Sequence, residues 1–167
     1  MVAQLLLLAV APLVAMMLLN SGWAKVREPL RSMQSIAGYG LVPDVMVPFL
    51  SRALPLSEIA VAVALFVAPA DAVARVGGAA LLGLFSMVVL FALVSGKRDI
   101  DCGCGGEPQP ISLGLAIRNG LMATLLLLPT SGSGMLHWLL ATASGIALFL
   151  LMIAWNSLRA QQRRYGN

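Results

Sequence analysis

Long apolar runs alternate with short polar segments along the chain, and this pattern predicts five membrane-spanning helices. The predicted spans cover approximately residues 2–19, 55–70, 76–95, 111–128 and 135–155. A bilayer core requires about 20 apolar residues per helix, and most of these runs approach that length. We therefore expect an all-α fold, an integral membrane helical bundle forming one transmembrane domain over residues 1–167, with a basic tail at 156–167.

The longest segment outside the predicted spans, residues 24–54, does not have the composition of a free aqueous loop. Pro29, Pro43 and Pro48 divide it into short pieces, and several large apolar residues lie between them. Apolar residues mixed with basic ones are typical of helices that lie in the membrane interface. We expect short interfacial helices after the first span.

Composition supports a membrane protein and excludes several other classes. Hydrophobic residues make up 59% of the 167 positions and charged residues 11%, whereas roughly 25% of an average soluble domain is charged. The net charge of +4 is too small and too scattered to indicate a nucleic-acid partner. Two cysteines are too few for a secreted disulfide scaffold.

The basic residues mark one side of the predicted bundle. Nine of the eleven follow the first, third or fifth span, whereas Arg75 lies on the opposite side and Arg118 lies within the fourth span. Loops rich in Lys and Arg stay on the cytoplasmic side of a membrane. The loop after the third span is therefore predicted to face the cytoplasm.

That loop, residues 96–109, carries Cys102 and Cys104, separated by one glycine. A disulfide between them would close a small bent ring, which the neighbouring glycines permit. A strained disulfide is easily reduced, which suits thiol–disulfide exchange.

Two inert thiols in a glycine-rich loop are the alternative. No metal site is expected, because structural zinc needs four ligands and His137 is the one further soft ligand, on the opposite face.

A second group of candidate residues lies within or near the ends of the apolar runs. Ionisable groups in such positions usually face a partner or a cavity. Lys25, Glu58 and Arg118 fall toward the side of the cysteine loop, so we expect a polar cluster in which Glu58 pairs with Arg118 or Lys25, beside Asn119. An ion pair that only fixes helix packing is equally open. Tyr39 either caps this cluster or anchors the surface segment.

The order of these features is similar to that of the MauE family of methylamine utilisation proteins, within the DoxX-like group of small membrane proteins. The matching residues are Ser21–Lys25, Tyr39, Pro43 and Glu58, the loop Gly96–Gly106 with its two cysteines, and Arg118 with Asn119. The resemblance covers approximately residues 15–125. One departure is Gly105, where the family often has an aromatic residue.

The resemblance implies a four-helix DoxX-like core plus one further span, in the bacterial inner membrane. It also implies a role in the processing, transport or disulfide formation of the small β subunit of methylamine dehydrogenase, with Cys102 and Cys104 as the redox pair. A more distant similarity to membrane thiol oxidoreductases of the DsbB and vitamin K epoxide reductase type implies a quinone as a candidate cofactor. Because the chain has only one dithiol, a thioredoxin-like partner would share the electron transfer.

Three functions follow, in order of preference. The first is a thiol-redox protein, a possible thiol–disulfide oxidoreductase, that assists the maturation of a partner. The second is a small transporter with a path lined by Glu58 and Arg118, and the third is a scaffold subunit of a membrane complex. The implied substrate matures in the periplasm, whereas the charge bias places the cysteine loop in the cytoplasm. Labelling of the two cysteines from one side of the membrane distinguishes a periplasmic loop from a cytoplasmic one.

Overall fold

A computed structural model of the protein describes residues 2–97, 100–102, 110–130 and 135–165. Its helices, in chain order, are α1 (Val2–Arg27), α2 (Pro29–Tyr39), a 3₁₀ helix (Asp44–Met46), α3 (Val47–Val67), α4 (Ala72–Val94), α5 (Leu113–Leu127) and α6 (Met135–Tyr165). Within these ranges there is no β-strand, and Asp101 forms an isolated bridge with Pro110. The all-α expectation is confirmed.

Within the described ranges, four segments are long and apolar enough to cross a membrane, which supports a multi-pass membrane protein. They are Leu6–Arg27, Asp44–Val67, Ala72–Val94 and Trp138–Trp155. The remaining apolar helix, α5, has 15 residues and is about 22 Å long, shorter than the roughly 30 Å of a bilayer core. The prediction of a helical membrane bundle is confirmed, and α5 is the shortest of its five apolar helices.

Four helices are longer than the predicted spans. α4 begins at Ala72, before Val76, and α6 continues to Tyr165 through most of the predicted basic tail. α1 continues past Leu19 to Arg27, and α3 begins at Val47 rather than near Pro55. Polar residues and a proline suggested boundaries there, but Ser21 is buried in the helix and Gly22 allows α1 to approach α3 closely. A Cβ atom on Gly22 would lie 3.0 Å from the carbonyl oxygen of Pro55.

The helices alternate in direction, so the C-terminal halves of α1, α4 and α6 meet the N-terminal halves of α3 and α5. We call this the cysteine end, because it also holds Cys102. It contains the contact of Lys25 with Glu58 and that of Arg118 with Met152. The short helix α2 packs on α1 and α3 at this end, as the prediction of short helices after the first span requires.

Candidate functional site

Lys25 and Glu58 form an ion pair between α1 and α3. The ammonium group donates a hydrogen bond to Oε1 of Glu58 and another, 2.7 Å long, to Oγ of Ser21. Glu58 is fully buried, and its Oε2 has no hydrogen-bond partner among the described residues. Lys25 also lies 5.3 Å from the centre of the Phe85 ring. Of the two partners expected for Glu58, Lys25 is therefore the one observed.

Arg118 lies on α5, facing Asn119 and α6 instead of Glu58. Its Nη2 donates to Oδ1 of Asn119 at 3.3 Å, and its Nη1 lies 3.9 Å from the sulfur of Met152. The Nε atom is buried without a partner among the described residues. A cavity of about 110 Å³ adjoins the guanidinium group, and we call it the Arg118 cavity.

The part of the loop between α4 and α5 that precedes Cys102 is held to α2 by two side-chain contacts. Arg31 of α2 donates from Nε to Oδ2 of Asp101 at 2.7 Å, and Lys97 donates to the carbonyl oxygen of Tyr39 at 2.8 Å. The hydrogen bonds to Asp101 and then to Glu28 raise the pKa of Arg31, so this anchor stays charged. Cys102 is half-buried directly after Asp101, whereas Cys104 lies outside the described residues.

Cys102 also lines a larger cavity, of about 370 Å³, which we call the thiol cavity. Most of its wall is apolar and comes from α2, α3 and α4. Its polar and sulfur-bearing lining residues are Lys25, Ser32, Ser35, Tyr39, Cys102 and Asn119. Small-molecule sites are typically apolar cavities of this size with a few convergent polar groups.

The structure thus brings the predicted site residues that it describes, all except Cys104, together around two neighbouring cavities. Lys25, Tyr39, Cys102 and Asn119 line the thiol cavity directly, and Glu58 is joined to them through Lys25. Arg118 and Asn119 both line the Arg118 cavity. Asn119 and Phe85 belong to both walls, so the cavities are adjacent.

Sequence reasoning missed two serines in this region. Ser32 and Ser35 line the thiol cavity, and both hydroxyl oxygens are buried without a hydrogen-bond partner among the described residues. An unsatisfied buried hydroxyl costs about 1–3 kcal/mol. Their spacing of three residues places them on one face of α2, together with Tyr39. That helical spacing is the sequence pattern that could have placed both serines at the site.

Comparison of the sequence with known proteins assigns the chain to a family. The sequence matches the family model described as "Methylamine utilisation protein MauE" over residues 3–132, a range that contains every predicted site residue. This chain belongs to the MauE family. Helix α6 lies beyond the matched range, although it supplies part of the wall of the Arg118 cavity.

Curated MauE proteins from two genera are similar to the chain. A relative named "Methylamine utilization protein MauE" from Paracoccus denitrificans is 30% identical over 133 residues, which cover 78% of this chain and 72% of the relative. The protein of the same name from Methylophilus methylotrophus is 31% identical over 150 residues, covering 84% and 79%. No solved structure matches the chain.

Proposed function

We propose that this MauE-family chain is a thiol-redox protein of the bacterial inner membrane that assists the maturation of a partner protein. By family resemblance the partner is the β subunit of methylamine dehydrogenase, and the names of the relatives assign those proteins to methylamine utilisation. Cys102 and Cys104 are the proposed reacting residues. Lys25, Tyr39, Glu58, Arg118 and Asn119 form the surrounding polar group.

The observation that carries this proposal is the attachment of the cysteine loop to α2. A glycine-rich loop with inert thiols has no need for fixed geometry, but the residue before Cys102 forms a salt bridge with Arg31. Lys97 holds the same loop to the C-terminal end of α2. A disulfide-exchange reaction requires the attacked sulfur to be accessible in one direction. The anchored loop meets this requirement on one side, because Cys102 lines the thiol cavity while it also packs against the buried cluster around Ala92 and Ile111.

The proposed reaction is a two-electron exchange. A thiolate of the immature partner attacks one sulfur of the Cys102–Cys104 disulfide, so that bond breaks and a mixed disulfide forms. A second partner thiolate then attacks the mixed disulfide, and the partner leaves with its own disulfide. Two electrons and two protons have passed to Cys102 and Cys104. The disulfide of a thioredoxin-like protein accepts these electrons and protons and regenerates the oxidised pair.

Mixed-disulfide trapping tests this proposal. Membranes that carry the Cys102→Ser or the Cys104→Ser variant, together with an epitope-tagged β subunit, are quenched with acid and alkylated. In one of the two single variants, the remaining thiol should attack the disulfide of the thioredoxin-like protein, and a partner thiolate should then displace that protein as a dithiol. The resulting disulfide-linked adduct with the partner should accumulate and should disappear after reduction. In both, the yield of active methylamine dehydrogenase should fall to background, because neither variant can re-form the pair.

Ser95→Ala is the matched control, since it alters the start of the same loop without changing a thiol. It should leave both the adduct pattern and the dehydrogenase yield unchanged. Full dehydrogenase maturation in a variant with both Cys102→Ser and Cys104→Ser would overturn the proposal.

The side of the membrane on which exchange occurs is a separate question. Lys25, Arg31 and Lys97 lie at the cysteine end, whereas Arg75 lies at the opposite end. This distribution favours a cytoplasmic loop. A membrane-impermeant maleimide should therefore label Cys102 and Cys104 in inverted vesicles but not in intact spheroplasts. Strong labelling in spheroplasts would instead place the loop in the periplasm, where the implied partner matures.

A carrier function is the second candidate, favoured by the position of the partly buried Lys25–Glu58 pair beside the thiol cavity. It predicts solute uptake into proteoliposomes that is lost in Glu58→Gln and unaffected when both cysteines are replaced. The thiol-redox proposal predicts the reverse dependence on the cysteines.

A further inference from the structure

The Arg118 guanidinium has no counter-ion among the described residues. Glu58 is paired with Lys25, and Asp101 is paired with Arg31. The nearest acceptors of Arg118 are neutral, an amide oxygen of Asn119 and the thioether of Met152. A thioether is a weak hydrogen-bond acceptor. A cation within a membrane bundle usually pairs with an opposite charge or faces a functional cavity.

Several hydrogen-bond donors around Arg118 remain unused. Its Nε is buried and unpartnered within the described part of the chain. Asn119 is 2% exposed and accepts from Arg118 through Oδ1, so its amide nitrogen is left to donate. Ser21 lines the same cavity, but its hydroxyl is already engaged in the Lys25–Glu58 pair. The site therefore has an excess of donors and of positive charge.

The cavity itself has room for a small ligand group. Its volume is about 110 Å³, whereas a single water needs about 10–15 Å³ on the same measure. Asn20, Ser21, Arg118 and Asn119 supply its polar wall, and large apolar side chains of α1, α4, α5 and α6 supply the rest. Apolar walls exclude water and strengthen the interaction of a guanidinium with an anion.

We infer that the Arg118 cavity binds an anionic oxygen group, a carboxylate or a phosphate, through the Arg118 guanidinium and the amide nitrogen of Asn119. The planar guanidinium group offers parallel N–H donors that fit both kinds of oxyanion. Such a group neutralises the charge that no described side chain neutralises. The inference does not depend on the thiol-redox proposal, because it requires neither cysteine.

Two sources can supply this chemistry, a soluble carboxylate or the phosphate of an anionic lipid. The test uses purified full-length protein in nanodiscs of phosphatidylcholine. In the first arm acetate replaces chloride at constant ionic strength. In the second arm phosphatidylglycerol replaces part of the phosphatidylcholine. The midpoint of thermal unfolding is measured in each, and it should rise in at least one arm, because binding to the folded state stabilises it.

Arg118→Gln should remove this rise and weaken the apparent affinity by at least about tenfold, the effect of one charge-assisted hydrogen bond. Arg52→Gln is the matched control, since Arg52 is an exposed arginine in the N-terminal half of α3, and it should keep the rise. A response to acetate identifies a soluble carboxylate as the source, and a response to phosphatidylglycerol identifies a lipid phosphate.

A second variant keeps the test informative if Arg118→Gln folds poorly. Asn119→Asp places a carboxylate beside the guanidinium and should raise the unfolding midpoint without added anion while abolishing the further rise. The inference is overturned if neither arm stabilises the wild-type protein, or if Arg118→Gln or Asn119→Asp responds as the wild type does.

Discussion

Two arginines lie within the helices of the bundle near opposite ends, and their surroundings differ completely. Arg75, at the start of α4, is 4% exposed, and its Nε donates to the carbonyl oxygen of Leu126 at 2.9 Å. Its two terminal nitrogens donate to the carbonyl oxygens of Pro69, Leu125 and Leu128 at 3.1–3.3 Å. Arg118, by contrast, donates to the amide oxygen of Asn119 and contacts the thioether sulfur of Met152.

The difference follows from where each arginine meets its neighbours. The last carbonyl groups of a helix have no partner within the helix, and they carry the negative end of its dipole. Arg75 meets the C-terminal end of α5 and uses those carbonyls. Arg118 lies in the interior of α5, where the backbone carbonyls are already bonded. Because all three nitrogens of the Arg75 guanidinium donate hydrogen bonds, Arg75 has a structural role. The incomplete hydrogen bonding of the Arg118 guanidinium supports the ligand-binding role inferred for it.

The largest stability effect is expected for Arg75→Gln. The variant removes the arginine donors of four carbonyl oxygens, of which those of Leu126 and Pro69 accept buried hydrogen bonds, at a cost of about 3 kcal/mol or more. Reversible unfolding in mixed micelles measures the change. Arg52→Gln, on the surface of α3, should change the stability by less than about 0.5 kcal/mol. Equal stability of the two variants would contradict a structural role for Arg75.

Glu58→Gln is expected to have the next largest effect, about 2 kcal/mol of lost stability, because it leaves the ammonium of Lys25 without its counter-ion. Lys25 is partly exposed, which keeps the loss below that of a fully buried pair. The double variant Lys25→Met, Glu58→Met should recover most of the stability, and a double-mutant cycle measures the coupling. Additive losses would show that the pair does not interact.

Arg118→Gln should destabilise the protein by less than about 1 kcal/mol in the absence of added anion, because it breaks one long hydrogen bond to a neutral amide oxygen. The same unfolding assay applies, in nanodiscs of phosphatidylcholine. This is the direct counterpart of Arg75→Gln. A loss as large as that of Arg75→Gln would remove the distinction between the two arginines.

A similarly small stability effect, up to about 1 kcal/mol, is expected for Arg31→Gln, because the salt bridge with Asp101 is partly exposed to solvent. Its effect on the loop should be clear, since Asp101 precedes Cys102. We expect faster alkylation of Cys102 by a maleimide, measured by quenched time points in a Cys104→Ser background. An unchanged rate would show that the salt bridge does not hold the loop.

Sequence reasoning identified the helical membrane architecture, because long apolar runs have few alternatives in a folded chain. It also placed Lys25, Glu58 and Arg118 toward one end, since the alternation of spans decides which loops share a side. It left the partner of Glu58 open. The choice depends on α1 continuing to Arg27, which brings Lys25 onto α3.

The contacts of Arg31 and Arg75 were beyond sequence reasoning for a different reason. Arg31 and Asp101 are 70 residues apart, and Arg75 and Leu126 are 51 residues apart. No local spacing signals such pairs, because they depend on how separate helices pack. From sequence, Arg75 marked only the side of the membrane opposite the cysteine loop, and Arg31 was one basic residue among nine.

An equilibrium redox titration of the purified protein tests the central claim most directly. The protein in nanodiscs is equilibrated with graded ratios of reduced and oxidised dithiothreitol, and maleimide trapping then counts the reduced thiols. We expect one reversible, intramolecular transition between a dithiol and a Cys102–Cys104 disulfide, in which the potential changes by about 30 mV for each tenfold change in the ratio of disulfide to dithiol. Thiols that stay reduced at every ratio, or that oxidise only between molecules, would contradict this expectation.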